Sequence, residues 1–144
     1  MGHVRAVCIS ERKGERKVVV EAITLREDFG VVGDVHAGSG RQVSLLASES
    51  VDTMRPKMPQ LAAGDFAENM LVEGLEVTAL PIGTRLAVGG EALLEVTQIG
   101  KTCHSKCNIH KTVGFCVMPT EGVFARVVRG GVVRAGDPIV RVDG

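Results

Sequence analysis

The chain has 144 residues, the length of one domain with one sizeable core, and its 17 lysines and arginines balance 17 aspartates and glutamates. No chain-wide positive field exists to gather nucleic acid or an anionic membrane, and the absence of Trp and Tyr removes most faces on which bases would stack. No apolar run approaches a membrane span, and the N-terminal stretch is too short in apolar residues for a signal peptide; the expectation is a cytosolic protein with neither nucleic acid nor membrane as partner.

Short stretches rich in Val, Ile and Leu recur between Gly, Pro and Asp, which is the rhythm of an all-β barrel or sandwich and not of alternating βα units. Residues 4–9 and 17–25 predict two strands of a hairpin across Glu11, Arg12, Lys13 and Gly14, where glycine takes positive φ without steric cost. Residues 41–46 predict a strand, after which Ser48 offers an N-cap before Glu49 and a short helix that Pro56 would stop. Residues 84–88 and 93–99 flank Gly89 and Gly90, while residues 124–128 and 132–134 flank Arg129, Gly130 and Gly131; both arrangements predict hairpins. Gly136 and Asp137 then turn the chain into residues 139–142, which would close or extend the sheet. No linker, low-complexity tract or internal repeat divides the chain, so one domain is expected over residues 1–144.

The densest chemical signal is residues 100–118, GKTCHSKCNIHKTVGFCVM, which crowds Cys103, Cys107, Cys116, His104 and His110 into one segment. Cysteine reacts and binds metals as the thiolate, and Lys101, His104 and Lys106 would favour that anion by opposing its charge. Such a thiolate has three jobs open to it: to carry a persulfide, to ligate molybdenum, or to bind zinc with its Cys and His neighbours. The spacing permits zinc but lacks the paired C-x2-C knuckles of strong zinc motifs, which places zinc second. Cys116, beside Val113, Phe115 and Val117, reads equally well as a small buried hydrophobe, and Cys8 within a strand reads as core.

A second cluster, residues 30–38 followed by Arg41 and Gln42, carries enough glycine for a tight loop with its backbone N–H groups turned outward, a ready anion cradle. Arg41 adds a fork of donors suited to phosphate, and His36 a donor or proton carrier near neutral pH. Taken alone, the plainer reading of a surface turn, in which Asp34 caps backbone amides, is favoured. Lys13 offers a further anion contact or a solvated charge, and Asn69 either a polar-ring amide or a turn cap. No Walker A or dinucleotide-binding pattern is present, so ATP- or NAD-dependent chemistry is not indicated.

Seven motifs occur together and in order: residues 33–38 (GDVHAG), 41–46 (RQVSLL), 64–69 (GDFAEN) and 73–75 (EGL), then 94–101 (LEVTQIGK), the cysteine segment, and 118–126 (MPTEGVFAR) followed by paired glycines. With them the chain resembles the MOSC domain, named for the C-terminal domain of molybdenum cofactor sulfurases, over nearly its whole length. The resemblance implies a mainly β fold, a mostly antiparallel MOSC-type β-barrel with a few short helices. It also implies a cleft where a cysteine meets the molybdenum of a pterin cofactor (molybdopterin) or a transferred sulfur. In larger relatives that reduce N-hydroxylated substrates the ligand cysteine follows a basic residue, which Lys106, Cys107, Asn108 and Ile109 resemble; Cys107 is therefore the first candidate for ligand or sulfur carrier and Cys103 the second. Lys13, Asp34, His36, Arg41, Gln42, Asn69 and Lys101 are the candidate cofactor contacts.

Neither the N-terminal β-barrel of the reductases nor the pyridoxal phosphate domain of the sulfurases is found in these 144 residues, so the expectation is a domain without reductase activity of its own that receives sulfur or cofactor from a partner of cofactor biosynthesis or a molybdoenzyme. Two classes of function follow. One is a cofactor-binding or sulfur-carrier domain, sulfurtransferase-like or part of a molybdenum-dependent reductase that would need an electron-donor protein. The other is a non-catalytic docking module, with structural zinc or no metal at its cysteines.

Overall fold

The structure, a computed structural model, describes residues 2–11, 17–53, 56, 62–64, 66, 68–100 and 122–142. Its strands are β1 (Gly2–Ile9), β2 (Val18–Val20), β3 (Ala22–Arg26), β4 (Gly30–Val31), β5 (Val43–Ala47), β6 (Met70–Glu73), β7 (Arg85–Val88), β8 (Ala92–Ile99), β9 (Val123–Arg129), β10 (Gly131–Arg134) and β11 (Pro138–Val142). A single α-helix among the described residues, α1 (Ser48–Asp52), follows β5, and a 3-10 turn covers Val77–Ala79.

Seven strands in the order β11-β7-β8-β9-β5-β6-β1 close into a barrel, because β1 returns to pair with β11 through Gly2 opposite Ile139. Every pairing around the ring is antiparallel except β5 with β6, where Leu45 lies opposite Met70. β2 adds to the outer side of β1, and a smaller sheet, β10-β3-β4, packs beside the barrel. The strand alternation dictates the core: in β7 and β8 the buried positions Leu86, Val88, Ala92, Leu94 and Val96 alternate with half-exposed ones. β5 instead buries all five residues; Val43, Leu45 and Ala47 join the core that Val77 of the 3-10 turn also enters, and Ser44 is bonded to Asn69. Fully burying a side chain such as Leu45 or Leu94 contributes about 1.5–3 kcal/mol relative to exposure, so the closed ring is held mainly by this apolar interior. The expected mainly β, mostly antiparallel barrel with short helices is what the chain forms, and β11 is the strand that closes it.

Three local expectations are corrected. The predicted strand over residues 17–25 breaks at Glu21: Val18–Val20 pair with β1, while Ala22–Arg26 pair with β10 and β4 in the other sheet. Alternation of apolar residues runs through both pieces and cannot say which neighbour each one takes. Residues 124–134 form no hairpin, because β9 pairs with β8 and β5 while β10 pairs with β3. Gly130 is needed there for close approach, as any Cβ at that position would press on the Leu25 carbonyl oxygen. Ser48 is the first helical residue and not the N-cap; Ala47 takes that place, and the Ser48 hydroxyl turns to Glu49 Oε1 at 3.3 Å. The helix ends at Asp52, ahead of Pro56.

Two features of this frame position the site. The Gly100 N–H donates to the Gly122 carbonyl at 2.7 Å, so the two ends of the cysteine-bearing stretch are joined at one point, where β8 ends and β9 begins. Strand β9 runs antiparallel to β5, Leu45 opposite Val123 and Val43 opposite Ala125, so the residues just before β5 lie farther along β9, where Gln42 meets Val127, and it is the Arg41 side chain that reaches back to Phe124. No helix among the described residues is long and apolar enough to cross a membrane.

Candidate functional site

Residues 32–42 connect the small sheet to the barrel strand β5 and are tied down from within. Val35 N–H donates to the Ser10 carbonyl at 2.8 Å and Gly38 N–H to the Phe29 carbonyl at 2.6 Å, and Gly33 and Gly38 both take positive φ. At the centre of the loop lies a charged pair with no side-chain exposure: Lys17 Nζ donates to Asp34 Oδ1 at 2.7 Å and to Ser10 Oγ at 3.1 Å. Asp34 also receives the N–H of Ser10 on Oδ1 at 3.0 Å and that of His36 on Oδ2 at 3.2 Å. Burial would raise the Asp34 carboxyl, but the hydrogen bonds of Lys17 and of the Ser10 N–H and the lysine charge outweigh it and hold the group far below the usual carboxylate range. Asp34 does cap backbone amides, as the plainer reading of the sequence held, yet it is a buried ion-paired group and not a surface one. Breaking such a pair leaves an uncompensated buried charge, which is what ties the loop to the barrel.

The third member of the cluster is His36. Its Nδ1 stands 3.3 Å from Lys17 Nζ and 3.5 Å from Asp34 Oδ2, while 29 % of the side chain remains exposed. The ring lines a pocket of about 350 Å³ with Ser39, Gly40, Arg41 and Gln98. Ser39 is locked by its own loop: its hydroxyl donates to the His36 carbonyl at 2.6 Å and accepts the Arg41 N–H at 3.0 Å. The Arg41 guanidinium lies 5.5 Å from the centre of the Phe124 ring, a cation–π contact that fixes its direction without occupying its hydrogen-bonding fork. The pocket thus combines a positioned guanidinium and an imidazole edge, donors suited to a phosphate or similar anion, while the Gln98 amide that also lines it donates to the Gly100 carbonyl at 2.7 Å.

The remaining sequence candidates fall elsewhere. The Gln42 side chain is buried, accepting the Val127 N–H on Oε1 at 3.0 Å and donating through Nε2 to Asp28 Oδ1 at 3.3 Å. Asn69 is fully buried: its Oδ1 accepts the Ser44 N–H at 3.0 Å and the Ser44 hydroxyl at 3.1 Å, and its Nδ2 donates to the Cys8 carbonyl at 3.1 Å. Both amides therefore brace strands, Asn69 joining β5, β6 and β1, and neither turns toward the pocket. Cys8 is buried in the barrel wall, as its place in a strand predicted. Lys13, Lys101, Cys103, His104, Lys106, Cys107, His110 and Cys116 lie outside the described residues. No group of three His, Cys, Asp or Glu among the described residues is arranged to hold a metal.

Sequence reasoning missed Lys17, which reads as the first residue of a strand; the one available signal was a lysine heading an otherwise apolar run of valines. It also missed Gln98 and Phe124, whose roles depend on the pairing of β8 with β9 and of β9 with β5.

The model of the MOSC domain matches residues 32–140, a stretch that holds the His36 loop, most of the barrel strands and the cysteine segment. The chain belongs to the MOSC domain family. Solved structures agree on the fold: the YuaD protein from Bacillus subtilis superposes with a TM-score of 0.79 at 19 % identity, covering 96 % of this chain and 93 % of that one. YiiM from Geobacillus stearothermophilus gives 0.75 at 20 % identity over 99 % of this chain and 76 % of that one. YiiM from Escherichia coli gives 0.73 at 21 % identity over 100 % and 71 %. No curated protein matches the sequence. The last described residue before the cysteine stretch, Gly100, and the first after it, Gly122, lie two positions from Gln98 and Phe124, which stand beside Arg41.

Proposed function

We propose that this MOSC domain binds a pterin molybdenum cofactor, or carries sulfur destined for one, through Cys107 or Cys103, with Arg41 and His36 receiving the cofactor's phosphate. The observation that carries the reading is that Gln98 and Phe124, which stand beside Arg41, each lie two residues from a root of the cysteine stretch, Gly100 and Gly122. The pocket sits at the lower end of the size range of small-molecule sites, enough for a phosphate and an adjoining group. Its chemistry fits that part of the cofactor: Arg41 offers paired N–H donors and His36 one ring edge. When bound, the cofactor would supply a soft metal centre for which a thiolate is the matching ligand. As a sulfur carrier, the cysteine thiolate would attack the outer sulfur of a donor persulfide; the new S–S bond forms as the old one breaks and the donor cysteine leaves as thiolate. Cytosolic residence and a partner protein, either a molybdoenzyme or a cofactor-biosynthesis enzyme, belong to this proposal; structural zinc at the cysteines belongs to its rival, the docking module.

The test is retention of molybdenum. Purified, reduced protein is incubated anaerobically with cofactor released from a molybdoenzyme, desalted, and assayed for molybdenum and zinc by elemental analysis, with sulfane sulfur measured after incubation with a persulfide donor. Retained molybdenum or sulfane sulfur that disappears in Cys107→Ala or Cys103→Ala supports the reading and names the cysteine. Neither in the wild-type chain, with stoichiometric zinc or none, favours the docking module.

A further inference from the structure

We infer that Lys17 acts as a positioning residue: from inside the fold it holds His36 as the neutral Nε2–H tautomer, so that the ring presents a fixed hydrogen-bond donor to an anionic group in the Arg41 pocket. This deepens the reading above, in that it assigns the chemistry of the same pocket, but it requires only an anion and not the whole cofactor. The geometry is specific. His36 Nδ1 is the ring edge turned inward, 3.3 Å from the Lys17 ammonium and 3.5 Å from Asp34 Oδ2, and those two side chains have no exposure. An ammonium can only donate. Its three hydrogens find three acceptors, Asp34 Oδ1 at 2.7 Å, Ser10 Oγ at 3.1 Å and His36 Nδ1 at 3.3 Å. For Nδ1 to accept, its lone pair must be free, and the ring proton then sits on Nε2, the edge left to meet the pocket.

Asp34 would invite the opposite arrangement, with Nδ1 protonated and donating to Oδ2. That arrangement sets an N–H against the ammonium at the shorter of the two distances, and Oδ2 already receives the His36 backbone N–H at 3.2 Å. Lys17 therefore decides the tautomer, and Asp34 compensates the lysine charge. The result resembles the way a second group behind a catalytic or metal-bound imidazole selects which nitrogen faces the ligand. The sense is reversed here, because the hidden partner donates and the outward nitrogen becomes a donor beside Arg41. Two donors on one side of a small pocket favour an oxyanion and disfavour a cation.

Long-range 1H–15N spectra of the full chain at neutral pH read the tautomer directly, with the His36 signals assigned by their loss in His36→Gln. The expected wild-type pattern is a neutral ring protonated at Nε2, whose signal shifts on titration with inorganic phosphate. A ring protonated at Nδ1, or no response of His36 to phosphate, overturns the inference. In the Lys17→Met, Asp34→Asn double variant, where both charges are removed together, the tautomer preference is expected to relax and phosphate affinity to fall about tenfold with Arg41 intact. An unchanged tautomer there overturns the role of Lys17, and should the double variant not fold, the wild-type tautomer still decides. His36→Gln, which keeps an outward N–H, is expected to bind phosphate better than His36→Leu; equal loss in both counts against the donor role. If the tautomer and phosphate response hold while molybdenum and sulfane sulfur are not retained, the proposed function fails and this inference stands.

Discussion

Two buried polar clusters sit within this barrel, and they are built in opposite ways. Around Asn69 the described hydrogen bonds join neutral groups: Ser44 on β5, Cys8 on β1, and the amide itself just before β6. Around Asp34 the groups are charged, and the cluster ends in a histidine whose far edge meets a pocket. Hydrogen bonds between neutral groups stitch strands together at modest electrostatic cost. A charged cluster carries a desolvation penalty that a purely structural role would not require, and its open edge is where that penalty acquires a use.

The largest expected effect separates the two directly. Lys17→Met alone leaves the Asp34 carboxylate buried without its cation and is expected to cost about 3–5 kcal/mol in urea denaturation, with much of the loss recovered when Asp34→Asn is added. Recovery would establish that the charges compensate each other; no recovery would mean that the other hydrogen bonds of the ammonium, such as that to Ser10, carry the loss. Asn69→Leu is expected to cost less, about 2–3 kcal/mol by the same measurement, because it strands the Ser44 N–H and the Cys8 carbonyl, and it should leave phosphate affinity unchanged. A fall in affinity would join the two clusters and erase the contrast.

Acid stability offers a finer separation. Asp34 is held below its ordinary value in the folded chain, so its contribution to stability is fully present above the unfolded carboxylate pKa of about 4 and is lost progressively as pH falls below it. Stability curves of the wild type and the Lys17→Met, Asp34→Asn variant should thus converge toward acid pH, whereas wild type and Asn69→Leu should keep a constant separation. The smallest effect on the fold is expected from Arg41→Ala: stability within about 1 kcal/mol, from loss of the contact with Phe124, but a clear loss of phosphate binding in a titration. Unaltered phosphate binding in Arg41→Ala would move the anion site away from the pocket.

Legibility differed between the fold and the site for physical reasons. The alternation in residues 84–88 and 93–99 around a glycine pair carried a hairpin, and the structure has one, with Val88 opposite Ala92. The same kind of signal around Gly130 and Gly131 did not, since a glycine demanded by a close backbone approach is indistinguishable in sequence from a glycine demanded by a turn. His36 and Arg41 could be singled out by residue type, and they do share a pocket. Gln42 and Asn69 were equally plausible by type, yet both turn inward, because the direction of a side chain next to a strand depends on register.

By itself the sequence determined the β character, the mostly antiparallel barrel and membership of the MOSC family, because these rest on periodicity and on many motifs in order, which no single contact can undo. Only the tertiary structure decided that Lys17 and Asp34 form one buried pair, that His36 leans on it, and that Gln98 and Phe124 stand beside Arg41. Those groups lie up to about a hundred residues apart along the chain and meet only through closure of the ring and the pairing of strands, among them β9 with β5 and β8, which apolar alternation encodes for each strand but not between strands.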